Sequence, residues 1–400
     1  MSLTIRHITL SNFRSYAAFE LSDIGPLTIL VGPNATGKTN LMEALRLVTA
    51  QRTLRHASTD QLVRKDCNYT SITADISDGN RQLSLETRII DNKRHYLLNG
   101  KSKRNGDMKG VIPSVAFVPD DLNLAKGSMS TRRQAVDALG EQLSMNHYLI
   151  RKDYEKLLKH KNSALKEGCE PDVLDAVNEI IVTVGAQLTC YRAALFSKLM
   201  VYLASFYQEI TDEKETVSGY YIPSWERDSE SVLTYEYNHI PYVRDEARDL
   251  LRACLNQRKG EELARRRSLV GPHADTIEFQ IDGMNVAAYG SQGQQRSLVL
   301  AFKLAEVALI HEILGQQPII LLDDVMSELD DDRRQSLISF LSKDMQTFIT
   351  TAHLDYFDNE TLYRARVVTL GKEKGSTFIE RDTPPFSGRE ALNEAVKCGY

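Results

Sequence analysis

The sequence predicts an α/β fold, a P-loop head interrupted by an inserted, mainly helical arm, and three observations carry that prediction. An apolar run, Leu27–Val31, leads into Gly32-Pro-Asn-Ala-Thr-Gly37-Lys38-Thr39, which fits G-x-x-x-x-G-K-[ST], and a helical pattern from Asn40 to Leu47 follows it. A second buried-strand pattern, Ile319–Leu322, ends in two carboxylates, Asp323 and Asp324. Between these stretches, the chain from Asp137 to about Gly260 is mostly helical in pattern and has no nucleotide motif.

The order strand, loop, helix is what a phosphate cradle needs. Gly32 and Gly37 let the loop through Pro33, Asn34, Ala35 and Thr36 curl so that backbone N–H groups face a β-phosphate, and the helix opening at Asn40 adds the positive end of its dipole. In that reading Lys38 bridges the β- and γ-phosphates of ATP, and the Thr39 hydroxyl holds Mg2+. Asp323 orients Mg2+ through water, and Asp324 sits beside the γ-phosphate as candidate general base. Ser291-Gln292-Gly293-Gln294-Gln295 precedes a helical pattern running from Arg296 to Leu314, with Leu298, Phe302, Ala305 and Leu309 at helical spacing. A Ser-x-Gly segment opening a helix is a second phosphate site. Because Lys38 already serves the near side of the nucleotide, Ser291 and its neighbours most simply serve ATP bound to another subunit. This is the arrangement of an ABC-type sandwich.

The remaining stretches fill in the head. Ile5–Leu10 and Ala17–Leu21 alternate like a strand pair, and Ser71–Ile76, Gln82–Ile90 and Arg94–Leu98 read as antiparallel strands with turns at Asp78-Gly79 and Asn99-Gly100. Thr347–Thr351 reads as a strand, and Arg366–Leu370 with Ser376–Ile379 as a terminal hairpin. Within the insertion, Thr216–Ser224 and Val232–Tyr237 suit a small sheet. The insertion has no sustained heptads and is too short for a long coiled coil.

Asn12-Phe-Arg14-Ser-Tyr16, the P-loop, Val270-Gly-Pro-His273, Ser291 to Arg296, Leu322-Asp-Asp-Val325 and Ser327-Glu-Leu-Asp330 stand in one order that resembles the RecF family of bacterial recombination mediators. The resemblance spans nearly the whole chain, thinning in the middle and toward the C-terminus. It implies an ABC-type, SMC/RecF-like ATPase head with residues 1–130 and 263–382 as its two parts, a helical arm at 131–262 and a tail at 383–400. It further implies slow, DNA-stimulated ATP hydrolysis with Mg2+ as a timed switch, and an ATP-dependent homodimer on gapped duplex or single-strand/double-strand junctions with weak sequence preference. RecR and RecO are the implied partners, RecA loading the implied outcome, in recombinational repair, replication restart and the SOS response. In such ATPases an arginine at the place of Arg14 reaches the phosphates; the plainer reading is a loop charge. His353 stands where ABC ATPases keep a switch histidine on the γ-phosphate; a structural histidine is the alternative. The usual Q-loop glutamine is missing after Val115–Pro119, which leaves its contact unassigned, and Ala274 replaces the basic residue that relatives show after the histidine.

Composition bounds these readings. The chain has 400 residues, 42% hydrophobic and 26% charged, enough for two or three domains. Its five cysteines include no C-x-x-C pair, which suits a reducing cytoplasm and indicates neither a disulfide framework nor a zinc site. No stretch reads as the eighteen or so apolar residues of a membrane span. The net charge of -5 means that nucleic acid must meet a local basic face, for which Lys101 to Lys109, the helical face of Lys152, Lys156 and Lys159, and Arg265 to Arg267 are candidates. Each could equally be a solvated surface. Two other classes compete: a transporter's nucleotide-binding subunit, opposed by the long insertion, and an ATPase of another SMC-like DNA system, opposed by the lack of an appended acidic nuclease cluster.

Overall fold

The computed structural model describes residues 2–55, 57–226, 243–341, 345–373 and 375–385. In chain order come β1 (Thr4–Phe13), β2 (Tyr16–Leu21), β3 (Leu27–Val31), α1 (Lys38–Ala50), α2 (Thr59–Leu62), β4 (Tyr69–Ser77), β5 (Gln82–Ile90), β6 (Lys93–Leu98), β7 (Lys101–Lys103) and β8 (Ser114–Phe117). Next are α3 (Asn123–Lys126), α4 (Met129–Leu143), α5 (Met145–Glu167), α6 (Pro171–Ile210), β9 (Val217–Ile222), α7 (Arg244–Arg265), β10 (Thr276–Ile281), β11 (Met284–Asn285), α8 (Val286–Tyr289) and α9 (Gln292–Leu314). Last are β12 (Ile319–Asp323), α10 (Asp331–Leu341), β13 (Thr347–Thr351), α11 (Asn359–Arg364), β14 (Arg366–Glu373) and β15 (Ser376–Thr383). These divide into two compact units, one from Met1–Asp121 and Ile310–Tyr400, the other from Leu122–Leu309.

The first unit holds two six-stranded sheets. One is antiparallel, in the order β2-β1-β4-β5-β6-β7, and its β4 alternates buried with half-buried residues, as a strand with one face in the core does. The other runs β15-β14-β3-β13-β12-β8, with β14, β3, β13, β12 and β8 parallel and β15 turned back as a hairpin. Its inner strands β12 and β13 are buried at every residue, which is why they read as unbroken apolar or β-branched runs. One core joins both sheets: Leu41, Leu45 and Val48 of α1 pack with Ile8, Ile72 and Leu85 of the antiparallel sheet and with Leu30, Leu321 and Phe348 of the parallel one. The Asn99-Gly100 turn forms as the sequence indicates, both residues having positive φ (52° and 74°).

The second unit is built on α6, a 40-residue helix opened by Pro171 at its first position. Its Val177, Ile181, Val182 and Leu188 form a core with Tyr154 of α5, Leu251 and Leu255 of α7, and Val270. By length and apolarity α6 would also suit a membrane span, contrary to the sequence reading that no stretch does; half of its most apolar window is buried inside the protein, as in the core helix of a globular unit.

β9 finds its partner in β10, with Val217 opposite Ile281 and Ile222 opposite Thr276, and β11 completes a three-stranded sheet. The stretch Val232–Tyr237, read as a companion strand, lies outside the described residues. The β9–β10 pairing draws residues after Arg265 into the second unit, so the break between compact units falls at 309/310 rather than near 263.

Polar bonds reinforce that pairing. Arg132 donates to the Ile277 carbonyl at 3.0 Å, and the fully buried Asp275 carboxylate accepts from Ser224 N–H at 2.8 Å, from the Thr189 hydroxyl at 3.1 Å and from the Tyr221 hydroxyl. Arg192 grips Asp137 with two bonds of 2.7 and 2.8 Å and donates to the Pro272 carbonyl at 2.6 Å, while Tyr154 and His273 share a bond of 2.7 Å. Val270 to Asp275 is therefore a polar knot in the core of this unit. Burial drives the imidazole of His273 down to about 4 and the carboxyl of Asp275 upward, as costs of removing charge from water.

Candidate nucleotide site and signature helix

The P-loop leaves the end of β3 in the centre of the parallel sheet. Both glycines are required by close approach: a Cβ on Gly32 would lie 2.6 Å from the Leu370 carbonyl, and one on Gly37, where φ is 111°, would lie 2.6 Å from Thr377 Oγ1 and 2.8 Å from Ser15 Oγ. Gly37 caps α1 without any side-chain bond, so the first N–H groups of that helix keep their donors for an anion. Lys38 is buried, and its ammonium donates to the carbonyls of Gly32 at 2.6 Å and Pro33 at 3.0 Å, which fixes it inside the loop. Its pKa is lowered by burial, an effect opposed by the charges of Asp324 and Asp323.

Three side chains that the sequence marked only as members of a motif (Ser15 and Tyr16) or of a strand (Thr377) frame this loop. The Thr377 hydroxyl donates to the Thr36 carbonyl at 2.6 Å, the Tyr16 hydroxyl to the Gly37 carbonyl at 3.0 Å, and Ser15 Oγ accepts from Asn40 Nδ2 at 2.9 Å. Pro33, Asn34 and Ala35 form the exposed tip.

Strand register brings the acidic pair to the same end of the sheet. Asp323 is opposite Thr350, which is opposite Leu30, and Thr351 is opposite Val31. Asp323 Oδ1 accepts from Thr39 Oγ1 at 3.0 Å and from Thr350 Oγ1 at 2.8 Å. Its pKa is raised by burial, with the two hydroxyl bonds and the charge of Arg55 pulling the other way. A hydroxyl and a carboxylate held within 3.0 Å are the hard oxygen donors Mg2+ takes, so the residues fit that ion. Asp324 follows at φ 57°, in the left-handed region, with its N–H on Thr350 Oγ1 at 2.9 Å; its carboxylate has no hydrogen-bond partner among the described residues. Arg55, which the motifs did not point to, is an exposed cation whose charge acts on Asp323.

Arg14 and His353 take less direct places. The Arg14 guanidinium does not stand free: it binds the buried carboxylate of Glu43 on α1, at 2.8 Å from Nε and 2.6 Å from the terminal nitrogen. His353 is exposed; its backbone N–H and carbonyl both bond the Thr351 hydroxyl, and its ring has no hydrogen-bond partner among the described residues. In the stretch after β8, where the Q-loop glutamine is missing, Asp121 accepts from Val118 N–H at 2.7 Å and closes a turn.

The signature segment belongs to the other compact unit. Ser291 Oγ accepts from Gln294 N–H at 3.2 Å and Gln294 Oε1 from Ser291 N–H at 2.9 Å, a reciprocal capping box that opens α9. Gln294 Nε2 donates to Glu215 at 2.9 Å, and Gln295 Nε2 to the Gly290 carbonyl at 2.9 Å, while Ser291 and Gln292 stay exposed. Leu298, Phe302, Ala305 and Leu309 are fully buried, as their spacing indicates.

The sheet order, the loop and the acidic strand end define a P-loop head of the SMC type, and comparison with known proteins agrees. Residues 4–374 match the family model RecF/RecN/SMC N terminal domain. DNA replication and repair protein RecF of Macrococcus caseolyticus is 32% identical over 381 residues, covering 94% of this chain and all of that one, and the Heliobacterium modesticaldum protein of the same name is 33% identical over 377 residues, covering 92% and 97%. The chain belongs to the RecF family. Among solved structures, one described as the recombination mediator protein RecF-ATPrS in the RecFOR pathway superposes with a TM-score of 0.83 at 27% identity over 95% of this chain and 99% of that one. A Pyrococcus furiosus Smc head domain, at 14% identity and a TM-score of 0.53 over 99% of this chain and 98% of that one, shares the fold alone.

Proposed function

We propose that this protein is an ATP-switched DNA clamp of the RecFOR pathway, dimeric when ATP is bound and monomeric after hydrolysis. The convergence of Lys38, Thr39 and Asp323 at the end of β3 is the observation that supports it. ATP with Mg2+ supplies the triphosphate charge and the bond to be broken. Lys38 and the α1 N-terminus bind the phosphates, Thr39 and Asp323 hold the metal, and Asp324, whose carboxylate is unengaged, takes the proton of the attacking water. Ser291 and Gly293 complete the site around Lys38 of a second copy, so the γ-phosphate is the differential contact that favours the dimer. Functionally, residues 1–130 and 263–382 then act as the ATPase head and 131–262 as its arm, even though residues 263–309 pack with the second compact unit.

The basic groups offered to DNA are exposed: Lys101, Lys103 and Arg104, then Lys152, Lys156 and Lys159, and Arg265 to Arg267. In a chain of net charge -5, two copies present these patches twice, and duplex binding weakens with salt at a log-log slope of about -0.9 per phosphate contact. Gapped DNA, the RecO and RecR partners, RecA loading and the cytoplasm follow from the family's role. Titrating gapped duplex with the protein in ATP and in ADP at several salt concentrations is the test. Tighter binding and a steeper salt slope in ATP are expected; equal affinities and slopes would remove the switch.

A further inference from the structure

The stretch that opens the signature helix is bare of charge. From Met284 to Gln295 twelve residues pass without a charged side chain, in a chain that is 26% charged, and Met284, Ala287, Ala288, Tyr289, Ser291 and Gln292 are all exposed. Tyr289 is 73% exposed, and neither its ring nor its hydroxyl has a partner among the described residues. Depletion of charge together with tyrosine marks surface that is covered in an assembly rather than left to water. The backbone beneath the ring is fixed. Asn285 Oδ1 accepts from Ala287 N–H at 3.0 Å and starts α8, Gly290 N–H donates to the Val286 carbonyl at 3.0 Å, and Gln295 Nε2 holds the Gly290 carbonyl at 2.9 Å. A Cβ on Gly290 would lie 2.6 Å from the Val286 carbonyl, so the corner between α8 and α9 closes only on glycine. Tyr289 is thus carried at a set place beside Ser291.

What covers the ring follows from its neighbour. Where Ser291 serves the γ-phosphate of ATP on a second copy, Tyr289 stands two residues away, and the extended Gly290 (φ -64°, ψ 129°) separates them by about 7 Å, with the length of the side chain to add. That reaches from the γ-phosphate toward the nucleoside end of the same nucleotide. The loop that holds the nucleotide supplies no such ring itself: Ser15 and Thr377, which frame it, are small, and Tyr16 is buried with its hydroxyl on the Gly37 carbonyl. A DNA backbone is the poorer occupant, since it brings phosphate charge and residues 284–294 hold no cation to meet it. A purine is flat and uncharged, and it stacks on the face of a tyrosine.

Given the ATP-dependent dimer proposed above, we infer that Tyr289 stacks on the adenine base of ATP bound to the second copy of the chain, so that the dimer recognises the nucleoside as well as the γ-phosphate. Dimerisation constants of the ligand-saturated full chain, from light scattering over a dilution series with Mg2+ and either ATP or inorganic triphosphate, test it. Stacking on one base is worth about tenfold, so Tyr289→Ala should weaken the ATP dimer, which has two such contacts, about a hundredfold. Tyr289→Phe, which keeps the ring, should match the wild type. With inorganic triphosphate, which has no base, the wild type and Tyr289→Ala should behave alike. The side chain is exposed, so neither substitution threatens the core. A Tyr289→Ala dimer as tight in ATP as the wild type's, a Tyr289→Phe dimer as weak as that of Tyr289→Ala, or an equal loss with triphosphate would overturn the stacking and leave the clamp standing. So would a loss of ATP affinity in the dilute Tyr289→Ala monomer, which would place the ring in its own subunit's site. A wild-type chain that stays monomeric in ATP would remove the clamp, and the stacking with it.

Discussion

Two helices of this protein start at segments suited to a phosphate, and they start in opposite ways. α1 follows Gly37 and has no side-chain cap, so its free N–H groups are left for water or for an anion. α9 follows Ser291 and caps itself, the serine and Gln294 exchanging bonds. A serine oxygen that accepts from Gln294 N–H still has its own proton to give, so the cap orients Ser291 as a donor toward solvent. The first helix start is a site that a ligand must complete; the second is a finished surface that can complete a site elsewhere. Self-sufficiency of the second is what allows it to serve a partner's nucleotide without depending on its own.

The comparison breaks most readily at Lys38. Lys38→Ala removes the ammonium that the Gly32 and Pro33 carbonyls hold in the loop, and ATP affinity measured by calorimetry should fall on the order of a hundredfold or more, since hydrogen bonds to charged groups contribute about 1.5–3 kcal/mol each. Ser291→Ala should leave that monomer affinity nearly unchanged. Equal losses in the two variants would mean that α9 acts within its own subunit. Next in size is Asp324→Asn, which should bind ATP normally and hydrolyse it about 10²–10⁴ times more slowly, because an amide cannot accept the proton of water. Wild-type single-turnover rates in that variant would remove Asp324 from the role.

Ser291→Arg then separates assembly from binding. The added side chain should abolish the ATP-dependent dimer in light scattering while the monomer still binds ATP, and a dimer indifferent to nucleotide would refute the partnership of the two helix starts. A smaller effect belongs to Arg55, an exposed cation acting on Asp323. Arg55→Gln should slow hydrolysis only slightly, because an exposed charge acts weakly through solvent, with little change in circular dichroism. An unchanged rate would leave Arg55 a surface charge.

Local patterns in the sequence located the ligand-facing half of this comparison well and its supports poorly. The P-loop, the buried strands β12 and β13 and the stripe on α9 are each written in consecutive or periodic residues, so spacing alone reveals them. Ser15 and Thr377, which frame the loop, bond each other across 362 positions, and no local pattern encodes such a meeting. For the same reason the pairing of β9 with β10 went unread in the sequence, and Val270–Asp275 showed only as a motif, not as the polar knot that Arg192, Tyr221 and Tyr154 make of it. The ion pair of Arg14 with Glu43 joins a loop to a helix 29 positions away and changes what a motif arginine is doing.

The smallest expected effect tests whether the cap on α9 is structural as well as orienting. Gln294→Ala removes the acceptor for Ser291 N–H and the bond to Glu215 but leaves the serine hydroxyl bonded to the backbone N–H of residue 294. Loss of a helix cap costs about 1 kcal/mol, which lowers the melting temperature by a few degrees. α1 has no such bond to lose, so its start should instead be sensitive to volume: Gly37→Ala places a methyl against Thr377 and Ser15 at a φ of 111° and should destabilise the fold by more. Thermal melts of both variants with and without ATP sharpen the contrast. At protein concentrations that keep the chain monomeric, ATP should raise the melting temperature of Gln294→Ala as much as that of the wild type, because the cis site is untouched, and should raise that of Gly37→Ala much less. If Gln294→Ala also loses its stabilisation by ATP, the two helix starts share one ligand within one subunit, and the division of labour drawn between them fails.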